Sequence, residues 1–277
     1  MSGDSGDRSS AFASESVPDE YERHLVPTVF SPWAEVLLDA VVVAPGSRVL
    51  DIASGTGALA RAAGQRAGGD GHVVASDLSG PMLGRAAAVE APEGAAPIEY
   101  VEASADALPF ADGRFDVVLC QQGLQFFPRQ AAAVREMRRV LHPGGVAGIA
   151  VWAAGHPLEP FGVYGEELAA IGAQAPFARA FESDTFTMSV ETVRSLLEDA
   201  GFSPIDASVV ELEVSWPDAA SVAVGVLGTP FGPLVHTLSG DLRRKFEAAL
   251  EKRFTPDEPG APVHRRTAAV IARATVA

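Results

Sequence analysis

The sequence predicts an α/β fold in which a parallel sheet is wound with helices on both faces. Three observations carry this. Short apolar runs recur at Val49–Ile52, His72–Asp77, Ile98–Val101, Phe115–Cys120 and Val146–Trp152, with helical segments between them. Such spacing marks βαβ units with right-handed crossovers. The run Phe115–Cys120 is apolar almost throughout, as a strand covered on both faces must be. Val49–Gly57 reads as strand, Gly-x-Gly turn and helix start, a geometry that offers backbone N–H groups and a helix N-terminus to a ligand.

The chain has 277 residues, 47% of them hydrophobic, enough for one core with an appended cap. Residues 1–20 are rich in Ser, Gly and Asp and lack the apolar stretch of a secretory signal, so a disordered tail is expected there. No apolar run approaches the roughly 18 residues of a membrane helix. The formal net charge of −15 disfavours nucleic acid, since phosphate neutralisation needs a basic face. With Cys120 as its one cysteine the chain has no disulfide framework and no cysteine-based metal site, and no metal is expected. A cytoplasmic protein, monomer or homodimer, is the expectation.

From the N-terminus, Tyr21 to Pro32 is partly apolar and interrupted by Pro27 and Pro32. Composition favours a surface arm there over a lid. Ser31 then offers an N-cap and Pro32 a first helical position for a helix carrying Val36, Leu37 and Ala40. Ser79 is placed to cap the helix after the second strand. Asp112-Gly113 marks a turn before the fourth strand, and Arg129–Leu141 is an amphipathic helix. Pro143 and Gly144-Gly145 turn the chain into the fifth strand at Val146.

Residues 153–188 break the pattern with glycines, prolines and the aromatics Phe161, Tyr164, Phe177, Phe181 and Phe186, as an inserted cap would. Core structure resumes over 189–216, with a helix capped by Ser189 and stopped at Gly201, then a strand at Ile205–Trp216. A second cap insertion spans 217–262 and includes a charged helix at Ser239–Phe254. The last core strand lies in 263–277, at Thr267–Val276.

Three acids give the opening turn its meaning. Asp77 ends the second strand about twenty residues beyond the glycines, where a carboxylate can accept both hydroxyls of a ribose. Asp51 lies inside the first strand, where burial demands a partner: the turn amides or a ligand ammonium. Asp106 follows the third strand, where it can accept from an adenine amino group while Ala105 and Ala107 supply backbone contacts. All three fall at strand carboxyl ends, where open α/β sheets bind ligands.

Taken with Phe115-Asp116-Val117-Val118 and Arg138–Gly145, these segments resemble the class I S-adenosylmethionine-dependent methyltransferases. The resemblance runs to the branch of ubiquinone/menaquinone C-methyltransferases and small-molecule enzymes, firmly over about residues 45–152. It implies a Rossmann-like, doubly wound sheet of seven strands, mostly parallel with an antiparallel last strand, and a cap from insertions after strands 5 and 6. It implies S-adenosylmethionine as cofactor and methyl transfer by in-line displacement to a small-molecule O, N or C acceptor. Residue by residue, it places Gly55 and Gly57 against the methionine moiety, Asp77 on the ribose and Asp106 on the adenine amino group. Leu78 and Met82 flank the adenine, Tyr21 reaches the carboxylate, and Gln121 and Gln122 lie past strand four near the methionine end. Asp51, Ala53, Thr56, Ala105 and Ala107 complete the cofactor contacts.

For the acceptor, Phe30, Phe126, Phe161 and Tyr164 are the candidate wall. The loop Gln121–Phe127 holds no acid or histidine that would serve as a base, which in-line displacement tolerates when nucleophile and methyl are held together. Of the six histidines, His156, just after strand five, has the best address for catalysis. Gly55–Ala60 also fits the G-x-G-x-x-A of nicotinamide dehydrogenases. Asp51 before the turn, the Asp106 loop and the lack of a Tyr-x-x-x-Lys oppose that reading. The other rival is a fold that binds adenosylmethionine without transferring its methyl.

Overall fold

The computed structural model of the chain describes residues 17–156, 158–173, 186–258 and 260–277. Of the tail expected over residues 1–20, residues 1–16 lie outside the described residues, as do the aromatics Phe177 and Phe181, while Val17–Glu20 form a helical turn. Seven strands form one sheet: β1 (Arg48–Ile52), β2 (His72–Asp77), β3 (Ile98–Glu102), β4 (Phe115–Gln121), β5 (Leu141–Trp152), β6 (Phe202–Trp216) and β7 (Val263–Val276). Their order is β3-β2-β1-β4-β5-β7-β6. The first five pair in parallel, and β7 runs antiparallel to both β5 and β6. This is the mostly parallel seven-stranded sheet with an antiparallel last strand that the sequence implies. The strand order reverses between β1 and β4, the switch point at which such sheets open a crevice.

Three strands are longer than the sequence suggests. β5 begins at Leu141, which pairs with Phe115 before the irregularity at Asp116 lets Val146 pair with Val117. The Pro-Gly-Gly stretch is therefore a kink within the strand instead of a turn ahead of it. β6 and β7 begin at Phe202 and Val263 because they form one long antiparallel ribbon, Trp216 opposite Val263 at its far end.

The N-terminal arm departs most from expectation. Three helical pieces, α1 (Val17–Glu20), α2 (Tyr21–Phe30) and α3 (Ser31–Ala40), follow one another without a break. Glu20, Phe30 and Ser31 all keep right-handed helical angles, so Ser31 is a helix residue and caps nothing. α2 is π-wound, with the Ser31 N–H reaching back to the Val26 carbonyl. Pro27 supplies no N–H, and Thr28 Oγ1 donates to the His24 carbonyl at 2.7 Å. Val17, Leu25 and Val29 are fully buried, so the arm is packed onto the molecule from Val17 onward.

The remaining helices are α4 (Ala58–Ala67), α5 (Gly80–Ala87), α6 (Gln130–Val140), α7 (Phe161–Ala170), α8 (Val190–Asp199), α9 (Ala219–Gly225), α10 (Gly232–Thr237) and α11 (Gly240–Phe254). Ser79, Ser189, Asp218 and Ser239 each accept the N–H of the residue three positions on, capping α5, α8, α9 and α11. One sheet face packs α3, α4 and the insertion helices around Trp33, Leu37, Tyr164, Phe231 and Phe246. The other packs α6 and α8 around Val134, Met137, Val193 and Leu197. The two insertions meet each other: Tyr164 of α7 donates to the Val222 carbonyl of α9, and Arg253 of α11 pairs with Glu166 at 3.0 Å. Among the described residues no helix is long and apolar enough to cross a membrane.

Gly148 shows how tightly α3 sits on the sheet. A Cβ there would come within 2.6 Å of Val41 Cγ2 and 3.0 Å of Leu119 Cδ2. Gly148→Ala is expected to destabilise the fold by roughly 1–3 kcal/mol, the usual effect of overpacking a filled core. Urea unfolding reads it directly, and an unchanged midpoint would refute the close seat of α3 on β5.

Candidate functional site

The site is assembled where β1, β2 and β4 end. After Ile52 the backbone enters the left-handed region at Ala53 (φ 56°), Gly55 (φ 54°) and Gly57 (φ 83°), which folds the turn back over its strand. The Ser54 N–H donates to the Ser76 carbonyl at 3.1 Å and the Gly57 N–H to the Ser54 carbonyl at 2.9 Å. Asp77 ties this turn to the next one. Its Oδ2 accepts the Gly55 N–H and its Oδ1 the Ser79 N–H, both at 2.8 Å.

Burial pushes the Asp77 carboxyl above its ordinary range, with the N–H groups of Ser79, Gly55 and Leu78 opposing that. Asp51 is 1% exposed, and its Oδ2 has no partner among the described residues. Burial first, then the charge of Asp77, raises its pKa well above the carboxylate range; the Ala60 N–H pulls the other way. Asp106 is opposite in character. Ser104 Oγ donates to it at 2.6 Å and Arg129 Nε sits 2.5 Å away, and these two hold its carboxyl below the usual range.

The arm covers the turn. The Tyr21 ring stacks on Phe30 with centroids 4.7 Å apart, and a Cβ on Gly55 would meet the Tyr21 hydroxyl at 3.9 Å. Glu22 accepts from Thr56 Oγ1 and pairs with Arg61 at 2.7 Å, while Arg61 also donates to the Thr56 carbonyl at 2.6 Å. Gln121 Nε2 donates to the Phe30 carbonyl at 2.8 Å, so β4 holds the other end of α2. Behind the arm lies the second insertion: a Cβ on Gly228 would come 2.7 Å from Tyr21 Cα.

Beneath the arm is a cavity of ≈ 210 Å³. Tyr21, Ala53, Gly55, Asp77, Leu78, Met82, Ala105, Asp106, Gln121 and Gln122 line it, as do Phe30, Phe126 and Phe161. Asp51 lines a smaller hollow that shares Tyr21, Phe30, Ala53 and Gln121 with the cavity.

Five expected residues lie elsewhere. Thr56 is fully buried and engaged with Glu22. Gly57 is the left-handed N-cap of α4, where a Cβ would stand 3.3 Å from Ala86 and Arg61. Ala107 donates its N–H to the Ser104 carbonyl and closes the Asp106 loop instead of facing the cavity. Tyr164 is fully buried between the insertions, its hydroxyl committed to Val222. His156 does not reach the cavity either. Ala153 bridges to Met188 beyond the end of β5, and the turn that follows sets the His156 ring 3.7 Å from Glu211 on β6.

The cavity also has walls that sequence reasoning missed: Trp152, Phe127, Leu25, Ser104, Thr229 and Pro230. Trp152 was legible, since the last residue of β5 stands at the same strand end as the acids. Thr229 and Pro230 belong to the second insertion and give no sequence signal of their own. No histidine, lysine or cysteine is among the described lining residues. Cys120, inside β4, is fully buried, and burial pushes its thiol up to about 12.

The methyltransferase-domain family matches residues 50–149. An uncharacterized protein of Mycobacterium tuberculosis is 33% identical over 209 residues, 75% of this chain and 72% of its own. The ubiquinone/menaquinone biosynthesis C-methyltransferase UbiE of Xanthomonas campestris is 40% identical over 118 residues, 42% of this chain and 47% of its own. Among solved structures, a SAM-dependent methyltransferase of Aquifex aeolicus shares the fold over 94% of this chain and 98% of its own, with a TM-score of 0.53 at 15% identity. So does the N-methyltransferase 2 of Haemonchus contortus in complex with phosphomonomethylethanolamine and S-adenosylhomocysteine, over 95% of this chain and 57% of its own, with a TM-score of 0.58 at 16% identity.

The buried acid Asp51 makes a stability prediction that needs no ligand. A carboxyl whose pKa is raised by folding contributes stability below the ordinary carboxylate range and loses it as pH rises through the folded value. Asp51→Asn keeps an acceptor for the Ala60 N–H without the buried charge. At neutral pH it is expected to be more stable than the parent by on the order of 1 kcal/mol, an advantage that shrinks as pH falls. Melting curves of the ligand-free protein across that range test it; a variant that melts lower at neutral pH would contradict it.

Proposed function

The chain belongs to the class I S-adenosylmethionine-dependent methyltransferases, and from that premise we propose that it methylates a small, largely apolar acceptor held against the sulfonium in the cavity under the arm. One observation carries the proposal. A single cavity presents strand-end acids and turn amides on one side and an aromatic wall of Phe30, Phe126, Phe127, Trp152 and Phe161 on the other. A nucleoside donor and an apolar acceptor fit the two halves.

The residues present suit the cofactor. Asp51 Oδ2 and Ser54 Oγ are buried at the turn without partners among the described residues, an acceptor pair for an ammonium and its neighbour. Tyr21 closes over Gly55 from above. Asp77 has used one direction of each oxygen on Gly55 and Ser79 and retains lone pairs toward the cavity for the ribose hydroxyls. Leu78 and Met82 flank the place for the base, with Ala105 and Asp106 at its edge. The bound cofactor supplies a methyl group already activated on a positively charged sulfur.

What the protein contributes is position. Gln121 and Glu22 hold the arm down on two sides of the turn, which fixes the ceiling of the cavity. With no histidine or lysine in the described wall, rate enhancement rests on holding a ready nucleophile in line, a route able to supply several kcal/mol of barrier reduction. A dedicated base is needed only for an acceptor that must first lose a proton. His156, beside Glu211, has no part in this scheme.

Incubating the protein with adenosylmethionine and candidate apolar acceptors tests the reading: adenosylhomocysteine should accumulate only in the presence of a true acceptor. Identical release with and without every acceptor would sink it. For the cofactor half, Asp77→Ala should weaken adenosylmethionine binding by roughly 1–3 kcal/mol, the effect of stranding hydroxyl partners. Calorimetry showing unchanged affinity would remove Asp77 from the ribose.

A further inference from the structure

Gln122 is held in a conformation that its own side chain does nothing to justify. Its φ of 52° lies in the left-handed region, uncommon for a residue with a side chain. Two hydrogen bonds impose it. The Gln122 N–H donates to the Ala150 carbonyl at 2.7 Å, and its carbonyl accepts from Gln125 Nε2 at 3.0 Å. Gln125 itself is fully buried. The backbone is thus clamped from both sides, and the residue, 6% exposed, is among those that line the cavity.

Its carboxamide makes no hydrogen bond: neither Nε2 nor Oε1 has a partner among the described residues, and both are buried. A buried, unsatisfied amide is a substantial liability, of the kind that folded proteins rarely keep without a use. The loop after β4 that carries Gln122 also carries Phe126 and Phe127 of the aromatic wall. The smaller hollow beside Asp51 and Ser54 takes Gln121 but not Gln122. Gln122 is among the residues of the main cavity, as are Phe126, Phe127 and Trp152.

We propose that Gln122, expected from sequence to serve the cofactor, instead reads the methyl acceptor, and that this acceptor is a flat apolar molecule carrying a hydrogen-bond donor and an acceptor side by side, as on an amide or hydroxycarbonyl edge. The aromatic walls take the flat body. The carboxamide, which offers a donor and an acceptor in one plane, pairs with the polar edge and sets the register of the molecule against the methyl donor. An acceptor lacking that edge leaves the amide unsatisfied, which makes the residue selective as well as attractive. The inference rests on the methyltransferase reading with a small acceptor.

Two fluorescent probes of equal shape isolate the paired edge: 2-naphthamide, with donor and acceptor, and 2-acetylnaphthalene, in which methyl replaces the amide nitrogen. On the full chain saturated with adenosylhomocysteine, the amide should bind about tenfold more tightly than the ketone, the effect of one well-placed hydrogen bond. In Gln122→Leu the two should bind within about twofold of each other, while adenosylhomocysteine affinity stays within about twofold of the parent. Equal binding of the probes to the parent, or no binding of either, overturns the proposal. So does a tenfold loss of adenosylhomocysteine affinity in Gln122→Leu, which would return the residue to the cofactor. If adenosylhomocysteine fails to bind the parent chain, the functional reading itself is at fault.

Discussion

The carboxylate of Asp77 is the joint on which the site depends. By accepting the Gly55 N–H with one oxygen and the Ser79 N–H with the other, it locks the turn after β1 to the turn after β2. The two turns are short, residues 53–57 after β1 and 78–79 after β2. Joined, they form a rigid shelf at the point where the strand order reverses. The same bond fixes the entrance to α5, since Ser79 caps that helix through the Met82 N–H. A charge this buried is tolerated because three backbone N–H groups face it. The neighbouring Asp51 has only the Ala60 N–H, and it sits in the field of Asp77 as well. Burial thus raises both pKa values, and the charge of Asp77 raises that of Asp51 further.

The arm completes the shelf and is held by polar contacts at both ends of α2. Glu22 reaches the turn through Thr56 and α4 through Arg61, and Phe30 offers its carbonyl to Gln121 on β4. Asp19 adds a pair with Arg85 on α5 at 2.8 Å. Glu22 and Arg61 are both largely shielded, with side chains 12% exposed, so their attraction is screened less than that of a surface pair. The arm thus touches α4, α5 and β4, the elements that frame the cavity. It belongs to the candidate site as much as to the core.

The sheet was legible because its strands are bounded by chemistry that only one topology satisfies. Apolar runs end in Asp51, Asp77 and the Asp106 loop, and the structure sets all three at one edge. What sequence could not show was the direction of side chains outside that period. Pro27 reads as a helix breaker, yet a π-wound turn absorbs it, since its missing N–H removes a donor that a wider turn can spare. His156 follows β5 as a catalytic residue might, but the bridge between Ala153 and Met188 diverts the chain toward β6. Tyr164 and Phe161 lie three residues apart on α7, and only Phe161 meets the cavity, because the contact of α7 with α9 takes the other. Thr56 and Gly57 belong to the motif and hold it together without lining the space it encloses.

These differences fall into a pattern. The half of the cavity proposed for the methyl donor is built from backbone groups and carboxylates at strand ends, so its geometry is fixed by the sheet and its residues can be read from spacing. The half proposed for the acceptor is gathered from the arm, the β4 loop, the end of β5, α7 and the second insertion, five segments with no common period. Substitution in any one of them reshapes the wall without disturbing the sheet, which is how one scaffold comes to serve many acceptors. In this chain the wall is aromatic, with no histidine or lysine among its described residues. On the proposed reading, selection of the acceptor comes from shape and from the few neutral polar groups of the wall, and in-line approach to the methyl donor from how firmly those groups are held.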